Sequence, residues 1–94
     1  NYLYEWKVND TSLNNRCDEC GMDNSPRFDG VIDMDSIDFS CFMANEARHM
    51  ALIAGLLGKK EEEKYWQDCF EWIKSAVNEQ LWDEEDGFYY DRIL

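Results

Sequence analysis

From residue 36 onward the apolar positions recur at three- and four-residue steps. Ile37, Phe42, Met43, Ala47, Met50, Ala51, Ile53, Ala54 and Leu57 fall on one broad stripe, which predicts a largely buried helix over residues 36–58. Asp35 or Ser36 stands at its start, each with a side-chain oxygen suited to an unpaired backbone N–H. Gly58 is placed to end it in a left-handed cap. The run Lys59-Lys60-Glu61-Glu62-Glu63-Lys64 then opens a second helix over residues 59–82 and reads as its solvated face. Tyr65, Trp66, Cys69, Phe70, Ile73, Ala76, Val77 and Leu81 make the second apolar stripe. So short a connection makes the two helices antiparallel neighbours, an αα-hairpin in an all-α fold. Residues 83–94 follow as a turn and extended tail: Gly87 supplies a positive φ after four acidic residues, and Phe88-Tyr89-Tyr90 is extended.

Residues 1–35 carry no such period and read as irregular. Leu3, Tyr4 and Trp6 can anchor on a core, and the stretch from Asn9 to Asn15 is rich in turn formers. The segment from Glu19 to Asp29 stands out, because it concentrates charged side chains around a glycine and a proline. Gly21 permits a backbone that other residues resist, and Pro26 fixes its own φ while biasing Ser25 away from helix. A shaped loop carrying polar groups on a helical scaffold is where chemistry tends to sit.

Composition narrows the function. The 94 residues hold 21 acidic and 9 basic side chains, for a net charge of −12. That balance repels phosphate backbones and anionic lipid, so nucleic-acid and membrane-surface roles are excluded, and neutral or cationic ligands are favoured. No apolar run reaches the length of a membrane span, and no signal-like segment opens the chain. Cys17 and Cys20 form half of a zinc or redox signature, but Cys41 and Cys69 lie far apart within helical patterns. Reduced thiols in a cytoplasmic protein are the reading that fits.

A hairpin of two long helices does not close on itself. Trp66, Trp72, Trp82, Phe88, Tyr89 and Tyr90 need partners that residues 1–35 supply only in part. Hairpins with apolar flanks are typical of arrays and rings, where each unit buries the next. The sequence also starts at Asn1 and stops after Ile93-Leu94. The expectation is a piece of a larger protein, its flanks covered by the rest of the parent chain or by self-association.

Within the loop, Asp23 is the candidate for chemistry. It follows Gly21, whose missing side chain lets a ligand approach the backbone. Arg27 lies four residues on, with a guanidinium able to hold a hydroxyl-rich ligand or pin a carboxylate, and Phe28 offers a sugar ring an apolar face. A partly desolvated carboxyl group can have its pKa raised enough to act as a general acid, and glycoside hydrolysis needs one acid and a second carboxylate. The structural alternative is that Asp23 and Asn24 are turn residues and that Arg27 bridges Asp23 or Asp29.

Glu19-Cys20-Gly21-Met22-Asp23-Asn24-Ser25-Pro26-Arg27-Phe28 resembles the E-S-G-x-D-x-S-P-R-[FW] signature of glycoside hydrolase family 63, which includes α-glucosidases and mannosylglycerate hydrolases; trehalases carry a related version. The resemblance continues in Ile37-Asp38-Phe39-Ser40, Leu56-Leu57-Gly58, Leu81-Trp82-Asp83 and Gly87-Phe88-Tyr89-Tyr90-Asp91. It implies an (α/α)6 toroid, with residues 1–94 one hairpin of its catalytic domain and the preceding active-site loop. It also implies an inverting mechanism in which Asp23 is the general acid, while the base, a glutamate nearer the C-terminus of the full enzyme, has no match here. Gly21 and Arg27 match positions lining the subsite around the cleaved bond, and Glu19 orients the loop. Cys20 departs from the usual serine, a poorer hydrogen-bonding group. Some members hold calcium beside this loop; Asn1 and Asp35 are the positions that match its ligands, though Asp33, Asp35 and Asp38 also serve as caps and helix-dipole partners. The enzyme reading is therefore a segment of an inverting glycosidase acting on an α-glucoside or related small glycoside, inactive alone. Its rival is a stand-alone helical-hairpin interaction module without catalysis.

Overall fold

A computed structural model describes residues 1–6, 20–22, 26–28 and 33–94. Two antiparallel helices form its body: α1, Ile37–Leu56, and α2, Lys60–Gln80. Four two-residue strands complete it: β1, Met34–Asp35; β2, Trp82–Asp83; β3, Phe88–Tyr89; and β4, Arg92–Ile93. The fold is the expected αα-hairpin with small strands at one end.

The seam between the helices follows side-chain size more than hydrophobicity. On α1 the buried positions are Ser40, Ala44, Ala47, Ala51 and Ala54, a line of small residues at alternating steps of four and three. Small side chains let α2 approach closely, and it answers with Ile73, Ala76 and Val77. The expected stripe on α1 was broader. Phe42, Met50, Ile53 and Leu57 are exposed, on the sides of the alanine line and not in it. The main core combines Ala44, Ile73, Val77 and Leu81 with half-buried Leu3, Tyr4, Ile37, Met43 and Phe70.

The connection closes as the sequence predicts. Gly58 takes φ +71°, its N–H donates to the Gly55 carbonyl at 3.1 Å, and the Lys59 N–H donates to the Ala54 carbonyl at 2.9 Å. These paired bonds satisfy the last carbonyls of α1, the Schellman arrangement. After α2, β2 and β3 pair antiparallel, with Trp82 opposite Tyr89, around a turn in which Gly87 has φ +63° and the Asp86 N–H donates to Asp83 Oδ1 at 2.8 Å.

Residues 1–6 are tied to the start of α1. The Ser36 N–H donates to the Tyr4 carbonyl at 2.8 Å, and the Tyr4 N–H donates to Ser40 Oγ at 3.0 Å. Leu3 and Tyr4 reach the core, as expected of them. Trp6 stacks on Phe39 with ring centroids 4.3 Å apart. The tail then returns to the same place, where β4 pairs antiparallel with β1, Met34 opposite Ile93 and Asp35 opposite Arg92. Both chain ends therefore converge on the N-terminus of α1, where the loop residues Cys20–Met22 and Pro26–Phe28 also lie.

Candidate functional site

Pro26–Phe28 forms one turn of 3-10 helix. Phe28 is 2% exposed and packs with Met34, against Trp6 and Cys20. Its ring is enclosed in this cluster, a correction to the expectation that it offers a face to a sugar; the apolar side chain is worth more buried beside Met34 than in water. Cys20, on the other side of the loop, packs on the same cluster. Its sulfur accepts a hydrogen bond from the Met22 N–H at 3.4 Å, a local turn contact of the kind a serine would make. Gly21 takes φ +80°, and a Cβ there would meet nothing within 4 Å among the described residues. The glycine is needed for backbone conformation, and among the described residues nothing fills the space beside it. Asp23, like Glu19 and Cys17, lies outside the described residues.

Arg27 is the centre of a charge cluster. Its Nε and one terminal nitrogen donate to the two carboxylate oxygens of Asp91 at 2.5 and 2.7 Å. The terminal nitrogens also donate to the two oxygens of Asp38 at 3.0 and 2.8 Å. This is fork-to-fork pairing with two carboxylates at once, the geometry for which guanidinium is suited. The three side chains are 14%, 25% and 16% exposed for Arg27, Asp38 and Asp91, so the pairing is mostly out of water. Hydrogen bonds to Asp38 and then Asp91 raise the arginine further above its already high range, against a smaller opposing effect of burial. Burial works against charge on Asp38, but hydrogen bonds from Arg27, the Trp6 indole and the Phe39 N–H together outweigh it, holding its pKa below the usual carboxylate range.

Asp91 has a second task. Its Oδ1 also accepts from the Ile37 N–H at 2.9 Å, so the tail caps α1. Ser36 occupies the cap position but makes no capping bond through its side chain, which corrects the expected cap by Asp35 or Ser36. A carboxylate here also meets the positive end of the helix dipole. Asp38 is additionally held by the Trp6 Nε1 at 2.8 Å.

Asn1 and Asp35 are brought together, with the Asn1 Nδ2 donating to Asp35 Oδ2 at 3.2 Å. Arg92 donates to the same oxygen at 2.6 Å. Asp35 is fully buried, and its Oδ1 has no hydrogen-bond partner among the described residues. The side-chain oxygen of Asn1 is already taken by the Leu3 N–H at 3.1 Å. A calcium ion needs six to eight oxygens. Among the described residues one unpartnered carboxylate oxygen is on offer, a guanidinium occupies its neighbour, and no three His, Cys, Asp or Glu side chains are grouped to hold a metal ion. The described residues alone therefore do not fit calcium. Glu5 pairs across from Asp35, and its pKa is raised by burial first, then by the charges of Asp35 and Asp33.

Sequence reasoning missed Asp91 as a partner of Arg27 and as a cap; only its place in the Gly87–Asp91 motif marked it. It also missed Arg92 beside Asp35. Among the described residues Cys20, Cys41 and Cys69 are free thiols, with Cys41 exposed, and His49 is exposed on α1. No described helix is long and apolar enough to cross a membrane.

Comparison with known proteins adds the family. Residues 2–94 match the model of the mannosylglycerate hydrolase MGH1-like glycoside hydrolase domain. An uncharacterized protein of Borreliella burgdorferi is 34% identical over 68 residues, covering 72% of this chain and 14% of that relative. The chain thus spans about one seventh of that relative's length. No solved structure matches the chain.

Proposed function

Since the chain belongs to the MGH1-like glycoside hydrolase family, we propose that its parent protein hydrolyses a small α-linked glycoside, a glucoside or mannosylglycerate, with Asp23 as general acid. In this reading the carboxyl of Asp23 gives its proton to the departing sugar oxygen as the glycosidic C–O bond breaks. A second carboxylate, from a part of the parent outside this sequence, takes a proton from the water that attacks the opposite face with inversion. The observation that carries the reading is the family match across residues 2–94, which runs through the whole signature from Glu19 to Phe28.

The geometry around the loop supports it. Gly21 meets none of the described residues on its Cβ side, and Arg27 is held by Asp38 and Asp91. Phe28 and Arg27 fix the Pro26–Phe28 turn by burial and by ion pairing. Gly21 and the exposed edge of Arg27 then border the sugar, while Phe28 supports the turn from beneath.

The hairpin is one unit of an (α/α)6 ring in this proposal. Leu56 is 89% exposed, and Phe42, Leu52, Ile53, Trp72 and Phe88 are also exposed. Exposed apolar side chains of this size suit burial against neighbouring hairpins of the parent chain. The interaction-module alternative leaves the glycosidase signature without a purpose. Asp23→Asn in the parent enzyme tests the central role. Turnover of mannosylglycerate should fall by about 100-fold or more; a loss of only a few-fold removes Asp23 from the chemistry.

A further inference from the structure

We propose that the groove between α1 and α2 lined by Cys41, Ala44, Arg48, Phe70, Lys74 and Val77 is covered by a carboxylate-bearing segment of the parent chain, whose charge pairs with Arg48 and Lys74. The proposal rests on the reading of the hairpin as one unit of a larger ring and adds the chemistry of its neighbour.

The groove is a cavity of about 300 Å³. Its floor is apolar and comes from the helix seam, where Ala44 and Val77 are buried. Phe70 is half-buried beside them, and the Lys74 ammonium stands 6.0 Å from the centre of its ring. Tyr89 reaches the groove from β3, its hydroxyl donating to Asn78 Oδ1. The cations set this groove apart. The chain has 21 acidic and 9 basic side chains, so a base without an acid beside it is the exception. Arg27, Lys64 and Arg92 each pair with a carboxylate. Arg48 and Lys74 have no carboxylate at ion-pair distance among the described residues, and both line this one groove. Arg48 also borders a second groove with Glu63, Asp68 and Glu71, and none of these three is at ion-pair distance from it.

Covering such a groove sets a condition on the neighbour. A guanidinium or ammonium taken out of water without a counter-charge costs more than an apolar floor of this size gains. A purely apolar neighbour therefore fits poorly, and one carrying lysine or arginine is repelled. The two stems can lie along the floor while their charged heads turn to a partner at the rim. A carboxylate brought over Ala44 and Val77 meets both heads, with the Asn45 amide as a further donor beside them. The occupant is assigned to the same polypeptide because the chain spans only about one seventh of its Borreliella burgdorferi relative, which leaves ample further chain to supply it.

The test is alkylation of Cys41 by iodoacetamide in the native parent protein, read by mass spectrometry of the peptide that carries it. Cys41 lines the groove and is exposed in the hairpin, so its rate reports whether the groove is covered. In the wild type it should react at least about 100-fold more slowly than in the urea-unfolded protein, both rates being referred to the thiolate through their pH profiles. Arg48→Glu and Lys74→Glu should each speed the reaction by about tenfold or more, since each sets a like charge against the carboxylate. Burial and then the charge of Asp38 push the Cys41 thiol up, and a new glutamate pushes it further, which slows alkylation. Acceleration in these variants therefore measures opening of the groove. Lys74→Glu carries the test if Arg48→Glu folds poorly. Lys64→Glu, at an exposed ion pair on α2, controls for general loss of structure and should stay within about threefold of the wild type. A wild-type rate within about threefold of the unfolded one, protection that disappears on dilution as a second copy would give, or equal acceleration in Lys64→Glu overturns the proposal. Leu56→Cys separates the two layers of argument, because Leu56 is 89% exposed at the far end of α1. If the thiol at position 56 is protected and Cys41 is not, or the charge reversals do not release Cys41, only the carboxylate-bearing neighbour falls. If both thiols react freely, the ring reading falls with it.

Discussion

Replacing Arg27 by methionine tests how much the charge cluster holds the fold. Methionine keeps most of the apolar stem while removing, among the described residues, four charge-assisted hydrogen bonds of 2.5–3.0 Å to carboxylates. Exposed ion pairs contribute about 0–1 kcal/mol, and breaking a fully buried pair costs about 3–5 kcal/mol. With the three side chains 14%, 25% and 16% exposed, the cluster lies nearer the buried limit, but water still reaches Asp38. Ordering the arginine also costs about 2 kcal/mol of rotamer freedom that methionine partly avoids. The expected destabilisation is therefore about 2–3 kcal/mol at neutral pH. Urea denaturation should show it as a lower midpoint at unchanged slope. Its pH dependence has a definite sign. Asp38 is held below its ordinary value of 3.8, so the stabilisation is present above that pH and is lost as pH falls through the lower folded value. The gap between wild type and variant should be full from neutral down to about pH 4 and should narrow below it. A gap under about 1 kcal/mol at pH 7, or one equally wide at pH 2, would refute the cluster's role.

Three further outcomes follow from the packing. Gly58→Ala should cost about 1–2 kcal/mol in chemical denaturation, since φ is +71° and a Cβ there meets nothing within 4 Å among the described residues, which leaves backbone strain as the cost. Ile73→Ala, at a position 4% exposed in the main core, should cost about 2–4 kcal/mol by the same measurement. Leu56→Ser distinguishes a covered flank from a free one: in the full parent it should lower stability by about 2 kcal/mol, whereas a solvated Leu56 would give a change within about 0.5 kcal/mol.

What the sequence made legible was local. Residues whose role depends on neighbours within one turn of chain were read correctly: Gly58 and Gly87 with their positive φ, the solvated charge run that opens α2, and the antiparallel pairing forced by a short connection. The width of the buried face on α1 was not legible, because hydrophobicity ranks Phe42 and Ile53 above Ala44 and Ala51. Burial in a close helix pair selects by size, and the large residues are displaced to the flanks. Strands two residues long carry no period at all, so the pairing of Met34–Asp35 with Arg92–Ile93 left no trace in the pattern.

The charge cluster shows why site residues divide the same way. The sequence marks Arg27 as a residue that pins carboxylates, and it offers Asp23 and Asp29 as the near candidates. Proximity in sequence favours those, because closing a short loop costs little entropy. Asp23 and Asp29 lie outside the described residues, and the fold brings Arg27 two further carboxylates from beyond the loop. Once α1 and α2 have packed antiparallel and the β2–β3 hairpin has turned the tail back, Asp91 stands at the N-terminus of α1 with its loop already closed by the core. Asp38 is there for the same reason, one turn into α1. The arginine is thus paired with carboxylates that other interactions bring to it at no further entropic cost. Its hold on the Pro26–Phe28 turn is therefore only as firm as the hairpin's closure. On this reasoning a lesion at the far side of the core, such as Ile73→Ala, should loosen that turn, while substitutions on the exposed face of α2 should leave it unchanged.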